Sequence, residues 1–103
     1  MSYHANPAER SRLTAELREL AEFLDQNPQV PIPRSAELLV FPPDGADAEM
    51  FAAIDAIAEL IGATASAVGS PAGHYRAVRS FGSVQYRAVA IPNSARNHGE
   101  EGE

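Results

Sequence analysis

Two runs of alternating residues, His74 to Phe81 and Val84 to Ile91, meet at Gly82-Ser83, and this constrains the fold more than any other feature. Glycine at the first position of a two-residue turn suits the type II′ geometry that matches the twist of flanking strands, so the segment is predicted to be a β-hairpin. The turn sets the register: Phe81 faces Val84, Arg79 faces Tyr86, Ala77 faces Ala88 and Tyr75 faces Ala90. One side of the hairpin then carries these eight residues, and its alanines leave room for a helix. The other side carries His74, Arg76, Val78, Ser80, Gln85, Arg87, Val89 and Ile91, with Arg76 and Arg87 on diagonal positions roughly 7–8 Å apart.

A lone hairpin is marginal in water, so the rest of the chain must supply its cover. Asn6-Pro7-Ala8-Glu9 offers a capping side chain, proline at the first helical position and glutamate at the third. Leu13, Leu17, Leu20 and Leu24 then recur every four, three and four residues, predicting a helix that ends near Asn27 with its leucine stripe toward a core. As a coiled-coil seam the stripe covers two heptads, short of the three or four that pattern needs. A stiff connector follows, Pro28-Gln29-Val30-Pro31-Ile32-Pro33, with Val30 and Ile32 expected to pack over the domain edge. Ala36 to Phe41 reads as a strand either covered on both faces or lying at a subunit contact, stopped by Pro42-Pro43. Asp44-Gly45-Ala46-Asp47 gives a turn and an N-cap. Met50, Ile54, Ile57 and Ile61, widened by Phe51 and Ala58, then predict a second helix stopping at Gly62. Thr64 to Val68 is a candidate short strand, and Gly69 to Gly73 a loop.

These elements predict an α+β fold in the order α-β-α-(β)-β-β. The expected form is a two-layer sandwich, two amphipathic helices on one face of a mostly antiparallel sheet of three or four strands. Residues 6–92 are expected to form one domain, with a flexible terminus at 1–5 and a disordered acidic tail at 93–103.

Composition narrows the chemistry. The 103 residues contain no cysteine, which removes disulfides, thiolate nucleophiles and thiolate metal sites. All eight basic residues are arginine, so a phosphate-binding P-loop and Schiff-base chemistry lack their lysine. Nineteen alanines suggest a GC-rich genome. Met1 to Leu13 lacks the apolar run of a signal peptide, and Leu60 to Tyr75, the longest stretch without Asp, Glu or Arg, is too short and too rich in Gly, Ser and Pro for a spanning helix. A cytoplasmic protein with no membrane partner is expected. The histidines, His4, His74 and His98, form no pair at metal-ligand spacing, and no catalytic motif occurs, so no metal, cofactor or catalytic residue is assigned.

Charge is unevenly divided within the net −6: residues 1–70 carry −7, residues 71–96 carry +4 and the last seven carry −3. The candidate partner-binding surface is therefore the hairpin side bearing His74, Arg76, Arg87, Val78 and Val89, where arginines either run their stems along the valines or meet an anion. Arg79, on the apolar side, is expected to stack on Phe81 or Tyr86 or to pair with a helix carboxylate. Leu39 and Phe41 are candidates for a subunit contact.

The run Gly73-His74-Tyr75-Arg76-Ala77-Val78-Arg79-Ser80-Phe81-Gly82-Ser83-Val84-Gln85-Tyr86-Arg87-Ala88-Val89-Ala90-Ile91-Pro92, with the leucine helix, proline connector and second helix before it, resembles small uncharacterised proteins of actinobacteria and their phages. The likeness covers most of the chain and is most distinctive from Arg79 to Pro92. It implies a bacterial or phage cytosolic setting and carries no activity, cofactor or site residue.

The leading expectation is a non-enzymatic protein-interaction module, a homodimer or a modulator of a host protein, that binds itself or another protein. A nucleic-acid binder using Arg76, Arg87 and His74 is the alternative, with the sequence pI near 4.9 against it. A small-molecule enzyme is the third reading, and it requires His74, Tyr75 and Glu37 to converge.

Overall fold

A computed structural model describes residues 4–69 and 73–93. The chain forms two compact units, Met1–Arg34 and Ser35–Glu103. The first contains helix α1 (Pro7–Gln26) and the second contains β1 (Ala36–Val40), α2 (Asp47–Ile61), β2 (Tyr75–Phe81) and β3 (Val84–Ala90). The architecture is α+β. Of the expected tail at 93–103 only Asn93 is described, where it hydrogen-bonds to Asp47; residues 94–103, 1–3 of the expected flexible terminus and 70–72 of the Gly69–Gly73 loop lie outside the described residues.

The start of α1 follows the expected local chemistry. Glu9 N–H donates to Asn6 Oδ1 at 2.8 Å while Asn6 N–H donates to Glu9 Oε1 at 2.9 Å, a reciprocal box that satisfies two donors at the helix start. At the far end Asn27 Nδ2 donates to Phe23 O at 2.7 Å, and Pro28 follows. The expectation that this helix buries its stripe in a core is corrected: α1 has no buried residue. Its unit holds one helix and a proline connector, which do not build a core by themselves. Val30 and Ile32 are exposed as well.

In the second unit the helix and sheet do form a core. Ala77, Ala88 and Ala90 lie under Met50, Ile54 and Ala58 of α2, all buried, with Val40, Phe51, Ile57, Ile61, Tyr75 and Tyr86 around them. Small residues on the sheet let the bulky residues of α2 descend onto it, so the large and small surfaces interlock. At the helix start the N-cap position falls to Ala46, whose methyl cannot accept a hydrogen bond. Glu49 compensates, its carboxylate accepting from Ala46 N–H at 3.1 Å. Gly62 ends the helix in the left-handed region at φ 71, where a side chain would be strained.

The sheet has three strands in the order β1-β3-β2. The β2–β3 register is the one read from the turn, Phe81↔Val84 through Tyr75↔Ala90, with Gly82 at φ 67. Two sequence expectations need correction. The sheet is mixed rather than mostly antiparallel, because β1 runs parallel to β3, from Ala36↔Val84 to Val40↔Ala88. The helix layer of this unit is α2 alone, so the two-helix sandwich does not form there. The physical reason for the strand order is burial: Ala88, Val89 and Ala90 are all buried, which makes β3 the inner strand and leaves β1 an edge exposed along most of its length. Of Thr64 to Val68, Ser66 alone pairs, in an isolated antiparallel bridge to Arg76.

Candidate functional site

Alternation and register sort the sheet residues into two faces. On the α2 face lie Leu38, Tyr75, Ala77, Arg79, Tyr86 and Ala88. On the other lie Glu37 and Leu39 from β1, Arg76, Val78 and Ser80 from β2, and Gln85, Arg87 and Val89 from β3. His74, at the entry to β2, follows the second set by parity. The structure thus gathers four of the five residues read as a partner-binding surface, Arg76, Arg87, Val78 and Val89, on one face, with His74 at its border. Arg76 stands opposite Val89, and Val78 opposite Arg87.

Both arginines are engaged within the unit. Arg87 Nε lies 3.4 Å from Glu37 Oε2, an ion pair between neighbouring strands with both side chains more than a third exposed. Arg76 Nη2 donates to Val68 O at 3.2 Å, and the Arg76 backbone exchanges hydrogen bonds with Ser66 at 2.9 and 3.0 Å. Val89 is 7% exposed, which leaves little of it for a partner. Glu37 was visible in the sequence, but its pairing with Arg87 depends on the parallel placement of β1, which no local signal reports. Beside the ion pair, Ser35, Ala36, Glu37, Gly82, Ser83, Gln85 and Arg87 line a hollow of about 630 Å³.

Arg79 takes the structural place expected for it. Its guanidinium carbon lies 5.2 Å from the Phe81 ring centroid, and Nη1 donates to Ile61 O at 3.0 Å, closing the carbonyl end of α2. Tyr75 and Glu37 fall on opposite faces of the sheet. The Tyr75 hydroxyl donates to Asp55 Oδ1 at 2.5 Å, and its ring packs against Phe51 with centroids 4.7 Å apart and planes tilted by 33°. His74, Tyr75 and Glu37 therefore do not converge. Among the described residues no group of three His, Asp or Glu side chains could hold a metal ion, and no helix is long and apolar enough to cross a membrane.

The edge strand β1 is the feature that sequence reasoning approached only through Leu39 and Phe41. Ala36 N–H donates to Ser83 O at 3.1 Å, so Ala36, Leu38 and Val40 direct their backbone groups to β3. By the same parity Glu37 and Leu39 direct theirs outward. Leu38, Leu39 and Phe41 are each 42–47% exposed. At the opposite edge the first outward position of β2, Arg76, is already taken by Ser66.

Comparison with protein-family models, curated proteins and solved structures finds no match to the chain.

Proposed function

We propose that this chain is a small non-enzymatic protein-interaction module that works as a homodimer, with Leu39 and Phe41 of the β1 edge at the subunit contact. The observation that carries the reading is an edge strand with Leu38, Leu39 and Phe41 exposed together, whose one charged residue, Glu37, is paired with Arg87 of the same chain. Sheet edges with unpaired backbone groups are templates for another strand, and natural proteins protect the edges they do not use. The net charge of −6, with Arg87 already paired to Glu37, favours this over a nucleic-acid surface. The bacterial or phage cytosolic setting implied by the resemblance fits a module that modulates a partner protein, and rests on that resemblance alone.

The test is the solution mass of the full chain by light scattering over a concentration series at low and high salt. The expected result is a rise with concentration from 11.0 kDa toward twice that value, retained or strengthened at high salt because salt screens the repulsion between two chains of net charge −6. A monomer at every concentration, or a dimer lost in high salt, overturns it.

A further inference from the structure

We infer that two copies pair antiparallel through β1 about a two-fold axis at Leu38, joining their sheets into one of six strands in the order β2-β3-β1-β1-β3-β2. The inference rests on the homodimer reading above and specifies its geometry. Two facts about β1 lead to it. First, the outward backbone groups belong to Glu37 and Leu39, placed symmetrically about Leu38. In an antiparallel pair, residues that exchange both hydrogen bonds alternate with residues that exchange none. Setting Glu37 of one copy opposite Leu39 of the other satisfies all the outward donors and acceptors of both residues in each copy, four hydrogen bonds, and leaves the two Leu38 side chains facing each other as the central non-bonded pair. A register centred on Leu39 would pair Glu37 with Phe41, past the end of β1, whereas the one centred on Leu38 keeps the pairing within the strand.

Second, the one charge on the strand already has a partner of opposite sign. Glu37 would meet a second copy as a like charge close to the axis, but Arg87 of its own chain holds its carboxylate at 3.4 Å. An edge glutamate ordinarily discourages edge-to-edge pairing. Here its ion pair turns the charge back onto the sheet face, and the Leu39 stem of the opposing copy can lie beside it. Pairing of identical edges is also closed: it uses up both β1 strands and stops at two.

The absence of cysteine makes the geometry testable in the full chain. Across a non-bonded antiparallel pair the Cα atoms stand about 4.5 Å apart, inside the disulfide range, whereas diagonal same-face positions stand about 7–8 Å apart and outside it. Leu38→Cys is expected to link two chains into a covalent dimer under mild oxidation at low protein concentration, and Leu39→Cys to stay monomeric on a non-reducing gel. Leu39→Pro removes an outward N–H without touching the β1–β3 bonds, and is expected to reduce the scattering mass to that of the monomer while circular dichroism is retained. Should Leu39→Pro unfold the chain, Leu39→Lys serves the same purpose through charge. If the wild type is a dimer and the position 39 variants remain dimeric while Leu38→Cys fails to link, the edge pairing is overturned and the dimer forms through another surface. Linking by Leu39→Cys in place of Leu38→Cys overturns the register. A wild type that is monomeric throughout overturns both.

Discussion

The Tyr75 hydroxyl donates to Asp55 Oδ1 at 2.5 Å, tying β2 to the outer flank of α2 beside the Phe51 ring. The carboxylate accepts a hydrogen bond from the phenol and, as a nearby negative charge, opposes loss of the phenolic proton. The Tyr75 pKa is raised above the ordinary tyrosine value of 10.0, first by the hydrogen bond from the neutral phenol to Asp55, then by desolvation, then by the Asp55 charge.

An alkaline titration followed by tyrosine absorbance checks this. Asp55→Ala is expected to bring the Tyr75 ionisation down toward the ordinary tyrosine value. Because the folded chain holds this proton more tightly than the unfolded chain, the linked stability is fully present below about pH 10 and is lost as pH rises through the raised value. A Tyr75 titration unchanged in Asp55→Ala would refute the pairing.

Among the described residues Ile54 is the one large side chain of the core with no exposure at all. Ile54→Ala removes its packing against the sheet alanines and leaves a cavity that a three-stranded unit has little means to collapse around. A loss of about 2–5 kcal/mol is expected in urea unfolding. Ala77→Leu tests the same interface from the sheet side, where overpacking is expected to cost about 1–3 kcal/mol.

Asn93 fastens the end of the described chain to the start of α2. Its backbone N–H and Nδ2 both donate to Asp47 Oδ1, at 2.8 and 2.9 Å, and Nδ2 also donates to Gly45 O at 2.8 Å. Asp47 also sits in the first turn of the helix, where a negative charge is favourable. Asn93→Ala is expected to lower the urea midpoint by the equivalent of about 1–2 kcal/mol with an unchanged m-value. A neutral result would mean that this bond does not persist in solution.

Leu17 lies at the centre of the leucine stripe yet is exposed. Alanine is the better helix former, so Leu17→Ala is expected to change stability by less than about 0.5 kcal/mol. A loss on the scale of Ile54→Ala would show the stripe to be covered in solution.

Sequence reasoning reached furthest where short-range chemistry decides the outcome. The Asn6–Glu9 box, the stop at Gly62 and every β2–β3 partner were legible because each depends on residues within one turn of helix or across one hairpin. It fell short where two segments distant along the chain compete for the same place. The leucine stripe of α1 has the period of a buried face, and period alone does not say whether an apolar partner lies within reach. Four apolar residues in succession, Leu38 to Phe41, describe a covered strand and a sticky edge equally well.

The sequence by itself therefore determined the helices, the hairpin, its register and the division of its residues between an alanine side and an arginine side, since backbone preference and side-chain period are local properties. Tertiary structure alone decided that β3 is the inner strand, that β1 joins it in parallel as an edge and that Glu37 meets Arg87. Those outcomes depend on which long-range arrangement buries the most apolar surface around Ile54, and that choice is made by the folded chain as a whole.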